Sequence, residues 1–173
     1  MTFAGRPEDG ARLAGAPFGV TAPDQLRPVA ESLVVEMGGE PFWIEESARP
    51  LYHAALTVSA NHLVTLVTES ADLLRKAGVV EPAKVIGPLL QASLDNALRQ
   101  GDAGLTGPVS RGDARTVAAH LETLDRYAPQ SVPAYIAMAR LTADRALAAG
   151  RLAPERAESL LGVLADPQRG GSA

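Results

Sequence analysis

Polar residues recur along one predicted helix at spacings of four, four, four and three: His53, Thr57, Asn61, Thr65 and Thr68. At about 100° per residue they fall within one stripe about 120° wide. A histidine exchanges protons near neutral pH, and an asparagine amide donates to a substrate oxygen. The stripe therefore suits proton transfer on a small-molecule substrate, with His53 as acid/base, Asn61 at the substrate oxygen and Thr57 between them. The same pattern is equally typical of a hydrogen-bonded seam between helices, and the sequence leaves both interpretations open.

A second segment with chemical potential is the loop Leu105–Asp113, which contains Thr-Gly-Pro and Arg-Gly-Asp. We expect Thr106 and Arg111 to bind substrate, because the planar guanidinium of arginine matches a carboxylate. The alternative for Arg111 is a surface residue or an ion pair between helices. Asp113 is predicted to cap the helix that follows.

Several other kinds of site are not expected. His62 lies on the opposite side of the helix from His53, His120 lies on another predicted helix, and the chain has no cysteine, so no metal site is predicted. The sequence contains neither G-x-G-x-x-G nor G-x-x-x-x-G-K-[ST], the two common pyrophosphate-binding patterns.

The elements that must position these residues begin with a strand-helix-strand pattern. Strands are predicted at residues 17–21 and 42–45, with a helix opened by Pro23 between them, and such a βαβ unit is parallel. Ser47 is predicted to cap one long helix, about 48–77, that is buried on most sides because nearly all of its first half is apolar or small. Pro50 falls in the first turn of that helix.

Four further helices are predicted. One runs from Pro82 to Gly101, and its predicted inward positions are Val85, Ile86, Leu89, Leu90, Leu94 and Leu98. The others begin at Asp113, Ser131 and Pro154. The predicted fold class is mainly α, a helical bundle preceded by a βαβ remnant. The predicted domains are residues 1–46, the end of an α/β domain; 47–166, a helical substrate and dimerisation domain; and 167–173, a flexible tail.

Composition limits the partners. The 173 residues carry a formal net charge of -4 with no block of like charge, which argues against a nucleic-acid partner. No run approaches the roughly 18 apolar residues of a membrane span. We therefore expect a cytoplasmic protein that neither enters a membrane nor binds nucleic acid.

The strings GAPFGVTA, RPLYHAALTVSANHLVTLV and LTGPVSRGDARTVAAHL, in this order, resemble Rossmann-like oxidoreductases that carry the C-terminal domain of unknown function 2520. These are related to 6-phosphogluconate dehydrogenase, ketopantoate reductase and pyrroline-5-carboxylate reductase. The resemblance implies NAD or NADP as cofactor, a substrate cleft between a Rossmann domain and a helical domain, and a homodimer. Asn61 matches in kind an asparagine of these relatives, and His53 takes the place of a proton donor.

The chain departs from that family in two respects. No lysine lies on the long helix, and the phosphate-binding strands are missing, so the chain resembles an N-terminally truncated member. We expect the chain to be the C-terminal part of an NAD(P)-dependent oxidoreductase. Its substrate would be a small molecule, with or without a carboxylate. The main cofactor site would lie outside this chain, which alone would be inactive. The alternative is a non-catalytic helical module for dimerisation or interaction, which the alanine-rich helices favour.

Overall fold

The structure, a computed structural model, describes residues 7–165. The predicted tail, residues 167–173, lies outside the described residues. The fold is mainly α with a small two-stranded sheet, as predicted. Contacts divide the chain into two compact units, Met1–Val67 and Thr68–Ala173. This division falls within the long helix, and the predicted domain boundary after residue 46 stays a prediction.

The first unit contains the predicted βαβ arrangement. A 3-10 turn, Pro7–Leu13, precedes strand β1 (Pro17–Val20), helix α1 (Arg27–Glu36) and strand β2 (Glu40–Trp43). The two strands are parallel, as predicted, with Pro17 opposite Glu40 and Val20 opposite Trp43. Strand β2 begins two residues earlier than predicted. A 3-10 turn, Asp24–Leu26, leads into α1.

The long helix follows β2 and has the predicted extent, although it is not uniform. It consists of a 3-10 turn (Glu46–Ala48), helix α2 (Arg49–Thr57), a π-helical turn (Val58–His62) and helix α3 (Leu63–Lys76). Pro50 lies in the first turn of α2, as predicted. The prediction that Ser47 caps this helix is wrong, because the chain enters through the 3-10 turn and Ala48 takes the N-cap position of α2 without a side-chain hydrogen bond.

The prediction that this helix is buried on most sides is also wrong for the described chain. Six of its large apolar side chains are between 42% and 76% exposed: Leu51, Leu56, Val58, Leu63, Val64 and Leu66. An all-apolar sequence shows that a helix surface avoids water. It does not show that the same chain supplies the cover.

The second unit contains helices α4 (Pro82–Gln100), α5 (Gly107–Ser110), α6 (Ala114–Tyr127), α7 (Val132–Ala148) and α8 (Pro154–Ala165). Two 3-10 turns, Gly101–Gly104 and Pro129–Ser131, connect them. The core forms where α6, α7 and α8 meet, and its members are Val117, Leu121, Ile136, Ala139, Ala143, Ala146, Leu152, Ala157, Leu160 and Leu164. Each large side chain buried there contributes about 1.5–3 kcal/mol.

The ends of these helices test the predicted caps. Asp113 caps α6 as predicted, since its carboxylate accepts from the backbone N–H of Thr116. Ser131 occupies the N-cap position of α7, but its hydroxyl donates to Glu69 instead of capping the helix. Pro154 begins α8, as predicted.

Helix α4 has the predicted bounds and a different environment. Four of its six predicted inward positions are exposed: Val85, Leu89, Leu94 and Leu98. Ile86 and Leu90 are half-buried. The main packing of α4 in the described chain is with the 3-10 turn Gly101–Gly104. The prediction of a buried face is therefore wrong within residues 7–165, because these four leucine and valine side chains are between 45% and 77% exposed.

Candidate functional site

The first half of the predicted site lies on α2 and the π-helical turn. His53 and Asn61 are exposed and Thr57 is half-buried. Within the described chain the His53 side chain forms no hydrogen bond, so its ring nitrogens are available to a ligand. Among the other stripe residues, Thr65 Oγ1 donates to the carbonyl of Asn61 at 3.1 Å. Among the described residues, the side chains of the stripe form no hydrogen bond to another helix, as a hydrogen-bonded seam between helices would require.

The π-helical turn Val58–His62 is a feature that the sequence did not predict. It contains Asn61, so the backbone between Thr57 and Asn61 is wider than in an α-helix. A wider turn slows the angular advance per residue, which keeps Asn61 closer in line with His53 and Thr57. Single π turns inside α-helices are rare and occur frequently at functional sites.

The second half of the predicted site lies in the other compact unit, in the loop before α6. Thr106 is the N-cap residue of the short helix α5, and its side chain makes no capping hydrogen bond. Both Thr106 and Arg111 are exposed. The Arg111 carbonyl accepts from Arg156 Nη1 at 3.4 Å. No carboxylate pairs with the Arg111 side chain among residues 7–165, so the predicted ion pair between helices is not formed there.

Gly112 gives this loop its shape. Its φ is +67°, and a Cβ at this position would lie 2.6 Å from Arg156 Cβ and 2.7 Å from Leu152 Cδ1. Both distances are too short for carbon atoms. Only glycine therefore fits between the loop and the start of α8, and the Arg-Gly-Asp string has a structural reason at its centre.

Asp113 also has a structural role. Its carboxylate accepts from Thr116 Oγ1 at 2.7 Å and from the Thr116 backbone N–H at 3.0 Å. The hydroxyl hydrogen bond, followed by the backbone one, lowers the pKa of Asp113 below its ordinary value, and nearby Arg111 and Arg115 lower it further. The carboxylate therefore stays charged as the cap of α6.

The sequence missed a third group of residues, at the carboxyl ends of β1 and β2. A cavity of about 380 Å³ opens there, lined by residues 21–23, residues 43–46 and Arg27. Thr21 Oγ1 donates to the Ile44 carbonyl at 2.7 Å and accepts from Arg49 Nη1 at 3.0 Å, which ties the two strand ends to the start of α2. Ligands of open α/β sheets bind outside the carboxyl ends of the strands, so the predicted βαβ unit already indicated this location.

Between residues 7 and 165, no three side chains among histidine, aspartate and glutamate come close enough to hold an ion. In the same range, no helix is long and apolar enough to cross a membrane.

The sequence matches the model of one protein family. The model of the family described as a domain of unknown function, DUF2520, matches residues 16–142. The chain belongs to this family. The matched DUF2520 segment includes the cavity at the strand ends, the stripe His53–Asn61 and the loop with Thr106 and Arg111.

A solved structure supports the fold. The crystal structure of protein TM1727 from Thermotoga maritima superimposes with a TM-score of 0.71, at 24% sequence identity, over 84% of this chain. At that identity the similarity shows the fold alone. The DUF2520 chain spans 59% of the length of the Thermotoga chain. No curated protein matches the sequence.

Proposed function

We propose that this DUF2520 chain is the substrate-handling part of a cytoplasmic NAD(P)-dependent oxidoreductase that acts on a small molecule. The single observation that carries the proposal is the π-helical turn Val58–His62, which lies within the polar stripe and contains Asn61. The family resemblance of the sequence, drawn from GAPFGVTA through LTGPVSRGDARTVAAHL, supports it. A substrate that bears a carboxylate is favoured by the guanidinium of Arg111, which is exposed and forms no ion pair with any carboxylate of residues 7–165.

The described residues do not fit a whole dinucleotide. Strand β1 continues into Thr21-Ala22-Pro23 and β2 into Ile44-Glu45-Glu46, and neither is a glycine-rich turn that could approach a pyrophosphate. The main cofactor site of the proposed enzyme therefore lies outside this chain.

The roles proposed for this chain concern the substrate. His53 donates or accepts the proton at the substrate oxygen, because its ring is exposed and unbonded. The Asn61 amide donates to the same oxygen, and the Thr57 hydroxyl lies between the two positions along the helix. Thr106 and Arg111 lie in the other unit and are proposed as substrate-binding residues there, Arg111 for a carboxylate.

The genomic sequence upstream of Met1 gives the first test. A strand followed by G-x-G-x-x-G in the same reading frame would support the proposal, and an unrelated or absent upstream reading frame would count against it.

The second test measures turnover of NAD(P)H with carbonyl and imine substrates, using the protein that includes any such upstream domain. We expect His53→Ala to lower turnover by about 10²–10⁴, the usual effect of losing a general acid or base. His62→Ala is the matched control, because it removes another exposed histidine of the same long helix, one to which no role is assigned. Equal losses of activity in both variants, following a common fall in melting temperature, would show that the stripe is structural.

A second candidate function, a non-catalytic helical module for homodimerisation, is favoured by the exposed face of α4. Val85 is 57% exposed and Leu89 is 66% exposed, and the two lie four residues apart on one side of the helix. Exposed apolar patches of this kind mark protein–protein contacts. We propose that a second copy of the chain covers this face, whether or not the protein is also an enzyme.

Sedimentation velocity tests the dimer. The wild-type chain is expected to sediment as a dimer at micromolar concentration, and Val85→Gln with Leu89→Gln is expected to give a monomer. Leu141→Gln is the control, since Leu141 is an exposed leucine on α7. A wild-type monomer, or an α4 variant that dimerises as tightly as the control, would contradict this proposal.

A further inference from the structure

The cavity at the carboxyl edge of the sheet brings groups of both charges together. On the positive side, Arg49 Nη1 donates to Thr21 Oγ1 at 3.0 Å, and the guanidinium has no carboxylate partner within residues 7–165. Arg27 lines the cavity, with its Cζ 4.6 Å from the centroid of the Trp43 ring. The Arg27 Nε lies 3.1 Å from Asp24 Oδ1, but this contact lacks hydrogen-bond geometry, so the buried Nε has no hydrogen bond.

On the negative side, Glu45 and Glu46 line the same cavity directly after β2. Both are exposed, and neither carboxylate forms an ion pair or a hydrogen bond in the part of the chain that the structure describes. Two other carboxylates lie nearby and have partners. Asp24 faces Arg27, and Glu31 accepts from Trp43 Nε1 at 2.9 Å.

The remaining wall is apolar and contains an aromatic ring. Trp43, Ile44 and Pro23 face the cavity between the charged groups. At about 380 Å³ the cavity falls at the small end of the roughly 300–1,000 Å³ usual for ligand sites. A small molecule with one apolar substituent therefore matches both its size and its lining.

We propose that this cavity binds a small zwitterion, an α-amino acid with an apolar side chain. Its carboxylate would pair with the guanidinium of Arg27, which lines the cavity, and with that of Arg49, which is bonded to the lining residue Thr21. Its ammonium would pair with Glu45 or Glu46. A simple anion would lie beside the like charges of the two glutamates, and a simple amine would lie beside the like charges of the two arginines. A molecule that carries both charges avoids both repulsions. The inference concerns binding alone and stands independently of the oxidoreductase proposal.

The experiment uses the only tryptophan of the chain as its reporter, because Trp43 lines the cavity. Emission is recorded while the protein is titrated with L-valine, with isovalerate, which lacks the ammonium, and with isobutylamine, which lacks the carboxylate. Ionic strength is held constant, and isothermal titration calorimetry repeats each titration. We expect saturable binding of L-valine and affinities at least about tenfold lower for both analogues, the usual loss for one charged hydrogen bond.

Two variants test the acidic and the basic residues of the site separately. Glu45→Gln with Glu46→Gln should weaken L-valine binding by about tenfold and leave isovalerate unchanged or tighter. Arg49→Gln should weaken both L-valine and isovalerate. Glu155→Gln, at the exposed start of α8 in the other unit, is the control that should change nothing.

Three results would overturn the inference. Isovalerate binding as tightly as L-valine would show a site for anions only. Unchanged L-valine affinity in the double glutamine variant, with a wild-type circular dichroism spectrum, would exclude the glutamates. An L-valine titration without saturation in both emission and calorimetry would show that the cavity takes no zwitterion of this class.

Discussion

Replacing Gly112 by alanine tests how closely the loop that carries Arg111 approaches α8. The residue has a φ of +67°, where an L-amino acid costs about 1–2 kcal/mol. The added Cβ would also lie 2.6 Å from Arg156 Cβ and 2.7 Å from Leu152 Cδ1. Arg156 Cβ is attached to the backbone of the first turn of α8, and Leu152 is only 3% exposed, so relief of these contacts requires a shift of the helix start and of a buried side chain. Overpacking of this kind costs about 1–3 kcal/mol.

The expected loss of stability for Gly112→Ala is therefore about 2–5 kcal/mol. Gly150→Ala is a close control, because Gly150 has a φ of +66° and nothing within 4 Å of an added Cβ. It should lose only the backbone part, about 1–2 kcal/mol. The gain from a stiffer unfolded chain is common to both variants and cancels in the comparison.

Urea denaturation followed by far-ultraviolet circular dichroism measures both variants. Helical ellipticity is the appropriate signal, because the one tryptophan lies in the other compact unit. Equal losses of stability for the two variants would refute the close approach of the loop to α8. They would also show that steric crowding is not the reason for a glycine beside Arg111.

Three further predictions concern the second unit. Hydrogen bonds from Thr116 lower the pKa of Asp113, so its carboxylate stabilises α6 fully above the ordinary pKa of about 3.9. This stabilisation is lost as the pH falls through the lowered pKa that Asp113 has in the folded protein. Asp113→Asn should lose this acid dependence, as measured by melting temperature against pH. Burial raises the pKa of Tyr135, whose hydroxyl lies 2.9 Å from His120 Nδ1. The free energy of unfolding should therefore fall as the pH rises above about 10, and this fall should be smaller in Tyr135→Phe. The ion pair between Arg145 Nε and Asp102 Oδ1 is 2.7 Å long but largely exposed, so Arg145→Gln should change the unfolding free energy by less than about 1 kcal/mol, and a larger change in urea denaturation would show that the pair is more than a surface contact.

The sequence predicted where elements begin and end better than what covers them. Proline and glycine set the bounds of α4, and Pro82 and Gly101 are found at its two ends. Its predicted inward positions span more than half of the helix circumference at about 100° per residue, since Leu89 and Leu98, nine residues apart, point in opposite directions. That periodicity carries no information on whether the covering surface belongs to the same chain, and Leu89 and Leu98 are exposed for that reason.

The candidate site shows the same limit at a finer scale. A fixed 100° per residue placed His53, Thr57 and Asn61 on one stripe, but it could not predict the π-helical turn, because an i to i+5 hydrogen-bond pattern has no simple residue signature. The cavity at the strand ends was missed for another reason. Its charged residues, Arg27 on α1 and Glu45 and Glu46 after β2, come from separate segments, and only the pairing of β1 with β2 brings them to one edge.

The packing of α2 on the sheet connects that cavity to the stripe within the first unit. Tyr52 lies beside Gly19 of β1, where an added Cβ would come within 3.2 Å of the Tyr52 ring, and its ring meets Phe42 of β2 edge-on at 6.0 Å. Arg49, three residues earlier, bonds to Thr21 at the end of β1. These contacts fix the first turns of α2 against the sheet on both strands. His53 directly follows Tyr52, so its position relative to the strand ends is determined by a packed aromatic residue and not by a flexible loop. A fixed position relative to the strand ends is what the acid/base role proposed for His53 requires.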